Sequence, residues 1–248
     1  MNVSLPGRTV LVTGGAVRIG RAICQALAGA GADVVVHSRQ SQTEAAALCA
    51  ELGAAGRRAW PVRGNLETAD GAAAIFGEAL AAAGRLDGIV NNAAVFDRRP
   101  LADCDAAAFE EPWRVNALAP MLLTRLLAEH VALAHPEAAQ PVAGVVNLLD
   151  QRIARNPAGC LPYLVSKQAL AAFTLAAARE VAPRVTVNAV APGAILAPAG
   201  RAGREAAGSA PLGRHPAPAE IAGAVVYLLS SAGITGQILY VDGGQHLQ

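Results

Sequence analysis

Lysine is almost missing from this chain. Of its 20 basic residues one, Lys167, is lysine and all the others are arginine. Charge of either sign is scarce, with 16 % charged against 53 % hydrophobic residues. That balance excludes a disordered chain and leaves ample material for a core. The formal net charge of +1 offers no electrostatic case for nucleic acid or an anionic membrane surface. Four cysteines, Cys24, Cys49, Cys104 and Cys160, are scattered without a CxxC pair or a histidine at ligand spacing. Neither a disulfide framework nor a metal site is therefore expected. The first residues lack the basic and apolar blocks of a leader, and no apolar run reaches the roughly 20 residues of a membrane span. A soluble, cytoplasmic protein is the expectation.

Short β-branched runs and alanine-rich helical stretches alternate along the whole chain. Strands are expected at 8–13, 33–37, 59–62, 86–90, 141–149, 184–190 and 237–241. Helices are expected at 19–27, 43–52, 68–83, 105–135, 162–181 and 219–230, with Pro120 kinking or dividing the fourth. Seven strands and six helices predict an α/β fold: one doubly wound, mainly parallel sheet with helices on both faces, in one domain spanning 1–248. Residues 194–218, rich in Ala, Gly and Pro, read as a mobile loop or lid. Gly14, Asn91, Asp150 and Pro192 each fall just past a strand end and should meet on one rim, where such sheets bind ligands.

Two features on that rim carry chemistry. The first strand runs into Thr13-Gly14-Gly15-Ala16-Val17-Arg18-Ile19-Gly20 and then a helix. A glycine turn lets backbone approach a pyrophosphate, and a helix N-terminus offers free N–H groups. The second feature is Asp150, followed thirteen positions on by Tyr163 and then by Lys167. Residues four apart on a helix share a face, so Tyr163 and Lys167 can enter one pocket. A compact ammonium kept where every other cation is a guanidinium suits a point donor.

The glycine turn, Asn91-Asn92-Ala93, Asn116, Tyr163-x-x-x-Lys167 and Pro192-Gly193, in that order, resemble the short-chain dehydrogenase/reductase family over essentially the whole chain. The resemblance implies a Rossmann-type subunit, a nicotinamide cofactor and a homotetramer. It also implies Tyr163 as proton donor or acceptor, Lys167 as the residue that binds the nicotinamide ribose and biases the tyrosine, and Asn116 in a proton relay. Gly14, Arg18, Ile19, Asn65, Leu66, Asn91, Ala93, Pro192 and Gly193 are the implied cofactor contacts. Most members carry Gly at position 18 and Ser at position 150. Arg18 together with Asp150 resembles the pteridine reductase branch, as do His37-Ser38-Arg39-Gln40-Ser41 and Phe96 after the NNA segment. That branch implies reduction of dihydropterin or dihydrofolate, with Arg18, Phe96, Asp150 and Tyr163 at the substrate.

These departures make physical sense. A carboxylate at position 150 accepts hydrogen bonds and repels an oxyanion, so it suits proton delivery to a ring nitrogen better than ketone reduction. It should raise the proton affinity of Tyr163, and Lys167 should lower it; a neutral donor is expected. Arg18 can pair with phosphate and reach the substrate edge. Phe96 offers a flat face on which a pterin could stack against the nicotinamide. The second strand ends without an acid, and Arg39 with Ser38 or Ser41 can bind a 2′-phosphate, which points to NADPH. Two rivals stand beside a pteridine reductase: a carbonyl reductase or alcohol dehydrogenase of the wider family, and a non-catalytic NADP-binding subunit.

Overall fold

The computed structural model describes residues 4–193 and 210–248. Its centre is a seven-stranded sheet in the order β3-β2-β1-β4-β5-β6-β7. The strands are β1 (Thr9–Val12), β2 (Asp33–Ser38), β3 (Ala59–Arg63), β4 (Gly88–Asn91), β5 (Ala143–Leu148), β6 (Val185–Pro192) and β7 (Ile238–Val241). Every neighbouring pair is parallel. Strands β1, β2, β4, β5 and β6 are buried from end to end. This explains their near-continuous Val, Ile and Leu: a parallel sheet covered on both faces has no polar side to alternate with.

Helices α1 (Arg18–Gly29), α2 (Gln42–Ala54) and α8 (Pro218–Ser230) cover one face. There Ile23, Leu27, Leu48, Val225 and Leu229 pack on Val10, Val12, Val34 and Val36. Helices α3 (Ala69–Ala83), α5 (Ala119–Ala134) and α7 (Leu161–Glu180) cover the other. The strand order reverses between β1 and β4, and in such sheets ligands bind in the crevice beyond that switch point.

The stretch 105–135, expected as one helix kinked or divided at Pro120, is instead α4 (Ala106–Pro112), a π-helical segment (Trp113–Leu118) and α5. Pro120 lies in the first turn of α5, directly after the π segment. The irregularity precedes it. Three consecutive residues of this wider turn, Val115, Asn116 and Ala117, are buried. By length and a mean hydropathy of 1.4 the run Ala106–Ala134 could cross a bilayer. Here Leu123, Leu127 and Val131 bury themselves against the sheet face instead. A further turn, α6 (Arg152–Arg155), follows β5 where no helix was expected. The four cysteines are unpaired. Of the expected loop 194–218, residues 194–209 lie outside the described residues.

Candidate active site

The glycine turn is closed by contacts that leave no room for larger residues. Gly14 has φ +60°, and a Cβ on it would lie 3.1 Å from Ala93 Cα. A Cβ on Gly20 would sit 2.1 Å from Gly14 O and 2.7 Å from Asn92 Nδ2. Asn92 donates from Nδ2 to Thr13 O (2.9 Å) and Gly14 O (3.0 Å). Thr13 Oγ1 accepts from the N–H groups of Asn92 and Ala93, both at 3.0 Å. Helix α1 starts here with no side-chain cap and no acidic residue in its first turn. Its N–H groups and positive end therefore face a groove of about 360 Å³ lined by Gly14, Arg18, Ile19, His37, Arg39, Asn65, Leu66 and Ala93, among others.

Arg18 takes φ +54° at the head of α1. A left-handed backbone costs a non-glycine residue about 1–2 kcal/mol, which accounts for glycine being usual at this position in the family the motifs resemble. An arginine kept there in spite of that cost points to a use for its side chain.

His37, expected among the cofactor contacts, lines the groove but has both ring nitrogens engaged. Nδ1 accepts from Gly14 N–H (3.3 Å) and Nε2 faces Gly64 O (3.2 Å). This arrangement requires a neutral ring, and burial holds its pKa below the ordinary 6.5. His37 is thus a strut between the glycine turn and the end of β3. Ser38 and Ser41, expected at a 2′-phosphate, do not line the groove; Ser38 is buried within β2. Asn91 does not line it either. Its amide donates to Asn147 Oδ1 (2.8 Å), which in turn passes a bond from Nδ2 to Thr174 Oγ1 (2.9 Å). Asn65 makes an Asx turn, accepting from Glu67 N–H (3.1 Å), while still lining the groove. Arg39 lines the groove and is paired with Glu67.

At the opposite end, the expected cluster assembles. Tyr163, 7 % exposed, donates from its hydroxyl to Asp150 Oδ2 at 2.9 Å. Burial first, then the Asp150 charge and this hydrogen bond, hold its pKa well above the ordinary 10. Tyr163 is therefore a neutral hydroxyl, as the sequence suggested. Lys167 is buried and donates from Nζ to Leu148 O (2.7 Å). Burial lowers its pKa to about 8, against the opposing pull of Asp150. Asp150 does also what a strand-end aspartate does: Oδ1 accepts from Arg152 N–H at 2.9 Å.

Asn116, expected in a proton relay, has its side chain anchored at this end. Its amide donates to Val95 O (2.9 Å) and Ser166 Oγ (3.1 Å), and its oxygen accepts from Val95 N–H (2.8 Å). Both amide N–H groups are thereby taken. The side chain fastens Val95, where the groove meets Phe96, to the helix that bears Tyr163. Phe96 is 43 % exposed, with its ring edge-on to Tyr163 at 4.7 Å. Pro192 O accepts from Gln151 N–H (3.0 Å), which ties β6 to the turn after Asp150. A Cβ on Gly193 would lie 2.8 Å from Asp242 Cα, so glycine here permits close packing of that turn.

Two residues that sequence reasoning passed over stand out. Arg152 bonds Asp150 Oδ2 (2.9 Å), lies 5.5 Å from the Phe96 centroid and pulls the Tyr163 pKa down. Its position two residues after Asp150 was the available signal. Glu67 reaches Arg39 from the loop after β3; the distance of 28 residues left no signal. His246, expected at the surface, stacks on Tyr240 and contacts Asp242 Oδ2 at 2.8 Å. No group of three or more potential metal ligands occurs among the described residues.

A family model described as "Enoyl-(Acyl carrier protein) reductase" matches residues 15–246. The chain belongs to the short-chain dehydrogenase/reductase family. Like other members it is an oxidoreductase with the family's Rossmann fold. Its relatives in the family have diverse names. An uncharacterised oxidoreductase of Mycobacterium tuberculosis is 37 % identical, covering 97 % of this chain and 92 % of its own. A 3-oxoacyl-[acyl-carrier-protein] reductase of Synechocystis is 33 % identical over 97 % and 98 % of the two chains. Among solved structures, FolM alternative dihydrofolate reductase 1 from Brucella canis, complexed with NADP, superposes with a TM-score of 0.88. It is 34 % identical over 98 % of this chain and 95 % of that one.

Proposed function

We propose that this oxidoreductase uses NADPH to reduce a pterin or folate from the dihydro to the tetrahydro form. The observation that carries the reading is the 2.9 Å hydrogen bond from Tyr163 to Asp150. It places a carboxylate where ketone reductases of this family usually have a serine hydroxyl. The residues present fit a dinucleotide: the closed glycine turn and the uncapped α1 terminus suit the pyrophosphate, and Arg39 suits a 2′-phosphate. The NADP held by the Brucella canis relative supports that choice.

When bound, the nicotinamide supplies the hydride. The chain supplies the proton. Tyr163 keeps its hydroxyl proton at neutral pH and can release it to a ring nitrogen as that nitrogen gains negative charge. The Lys167 ammonium stabilises the phenolate left behind. Asp150 accepts from N–H and O–H groups and disfavours an oxyanion in the same place. Arg18 supplies a cation at the groove. In its present position Phe96 meets Tyr163 edge-on, with Arg152 and Arg98 5.5 and 6.0 Å from its ring centroid. A stacked pterin would share Phe96 with these cations.

The test is NADPH oxidation against dihydrobiopterin, dihydromonapterin, dihydrofolate and a panel of ketones and 3-oxoacyl thioesters. Turnover of the pterins or of dihydrofolate is expected. Efficient turnover of the carbonyl substrates with none of the others would replace this reading by an acyl or ketone reductase, the activity that the Synechocystis relative's name carries. Asp150→Ser should lower pterin turnover by about a hundredfold while dinucleotide affinity is kept. Undiminished pterin turnover would remove the role given to Asp150.

A further inference from the structure

The loop after β3 brings a carboxylate to the residue that the NADPH reading relies on. Glu67 Oε1 accepts from Arg39 Nη1. Its other oxygen, Oε2, accepts from Asn65 Nδ2 at 3.3 Å, and its own N–H donates to Asn65 Oδ1 at 3.1 Å. Asn65 and Arg39 both line the groove. The carboxylate is therefore held from two sides, and Arg39 is held by it. Both partners stay partly open to solvent, with side chains 46 % and 32 % exposed. Such a pair is weak and easily exchanged.

We propose that Glu67 takes part in cofactor discrimination at this site, narrowing the preference for NADPH over NADH that Arg39 confers. This rests on the reading of Arg39 as the 2′-phosphate partner. The physical reason is a competition. A 2′-phosphate can pair with Arg39 only by taking it from Glu67, and it then lies near a carboxylate of its own sign. A 2′-hydroxyl asks for neither change. It can donate to Glu67, which is what an acidic residue does for NAD in dinucleotide folds. In those folds the acid usually ends the second strand. Here that strand ends at Ser38 and is followed by Arg39, and the acid arrives from the next loop, so the same groove holds a cation suited to one cofactor and an anion suited to the other.

The full-length protein is titrated with NADPH and with NADH by nucleotide fluorescence, without substrate. Glu67→Gln keeps the shape and the Asn65 contact but removes the charge. It should tighten NADPH about fivefold and leave NADH unchanged or slightly weaker, so the affinity ratio widens about fivefold. Glu67→Ala should move the ratio the same way. A ratio that shifts by less than about twofold in both variants, or that narrows, overturns the proposal. Arg39→Ala is the control on the underlying reading, expected to collapse the ratio at least about tenfold. If it collapses while the Glu67 variants do nothing, the role of Glu67 alone is wrong. If Arg39→Ala leaves the ratio intact, the 2′-phosphate assignment is wrong and this inference goes with it.

Discussion

At the glycine turn, side chains hold backbone; at the Tyr163 end, they also hold one another. Thr13, His37 and Asn92 direct their polar atoms to main-chain groups of residues 13, 14, 64, 92 and 93. What remains to meet a ligand there is the backbone itself and the head of α1. Around Tyr163, besides the backbone bonds of Lys167 and Asn116, side chains pair with side chains: Asp150 with Arg152, Tyr163 with Asp150, Phe96 against Tyr163. A motif residue in the first region therefore shapes the groove, and its loss should change binding. In the second, a residue sets charge and proton affinity, so its loss should change rate.

The contrast can be broken most directly at Tyr163. Tyr163→Phe keeps the ring against Phe96 and removes the proton, so kcat for any accepted substrate should fall about a thousandfold. Dinucleotide affinity should hold within about twofold. If affinity falls as far as kcat, the two regions are not separate in function.

Lys167→Met asks what the buried charge costs. Burial lowers this pKa from 10.5 to about 8, a penalty of about 3 kcal/mol on the charged folded form. Losing the bond to Leu148 O takes back about 1 kcal/mol. The variant should be inactive yet more stable than the parent by about 2 kcal/mol at pH 7 in urea unfolding. The sign with pH follows. Between about pH 8 and 10.5 the unfolded chain holds the extra proton, so parental stability from this group rises with pH. The methionine variant should lack that rise.

Arg18→Gly separates strain from use. Removing the side chain relaxes a φ of +54°, so stability should not fall. Pterin kcat/KM should drop about tenfold. Lower stability with unchanged kinetics would make Arg18 a packing residue.

The smallest effect concerns the His37 strut. Its folded pKa lies below the ordinary 6.5, so the unfolded state takes up a proton first as pH falls. Stability from this group is present above about pH 6.5 and is lost below it. Urea midpoints at about pH 7.5 and 5.5 should lie closer together in His37→Gln than in the parent. An equal gap in both proteins would remove the strut from the acid response.

Much of this was legible in the residues. The strand-turn-helix rhythm showed because a doubly covered sheet demands unbroken apolar strands and its helices carry a different period. The Asp150, Tyr163 and Lys167 cluster showed because helical spacing and the strand end fix where two of its members can point. The π segment did not show: nothing in Trp113–Leu118 departs from a helical composition, and the bonds of Asn116 to Val95 and Ser166 that accompany it come from distant parts of the chain. The Asn91 side chain turns away from the groove: a motif records that a residue stands in a place, while its partners come from other elements.

The order of strands and helices, the glycine turn and the acid-tyrosine-lysine spacing were thus determined by the sequence alone, since each depends on neighbours within a turn or a strand. The neutral state of His37, the backbone strain at Arg18 and the capture of Arg39 by Glu67 were decided only by tertiary structure. Each of these turns on burial, or on a charge or a ring brought close by the fold, and neither is written in the spacing of residues.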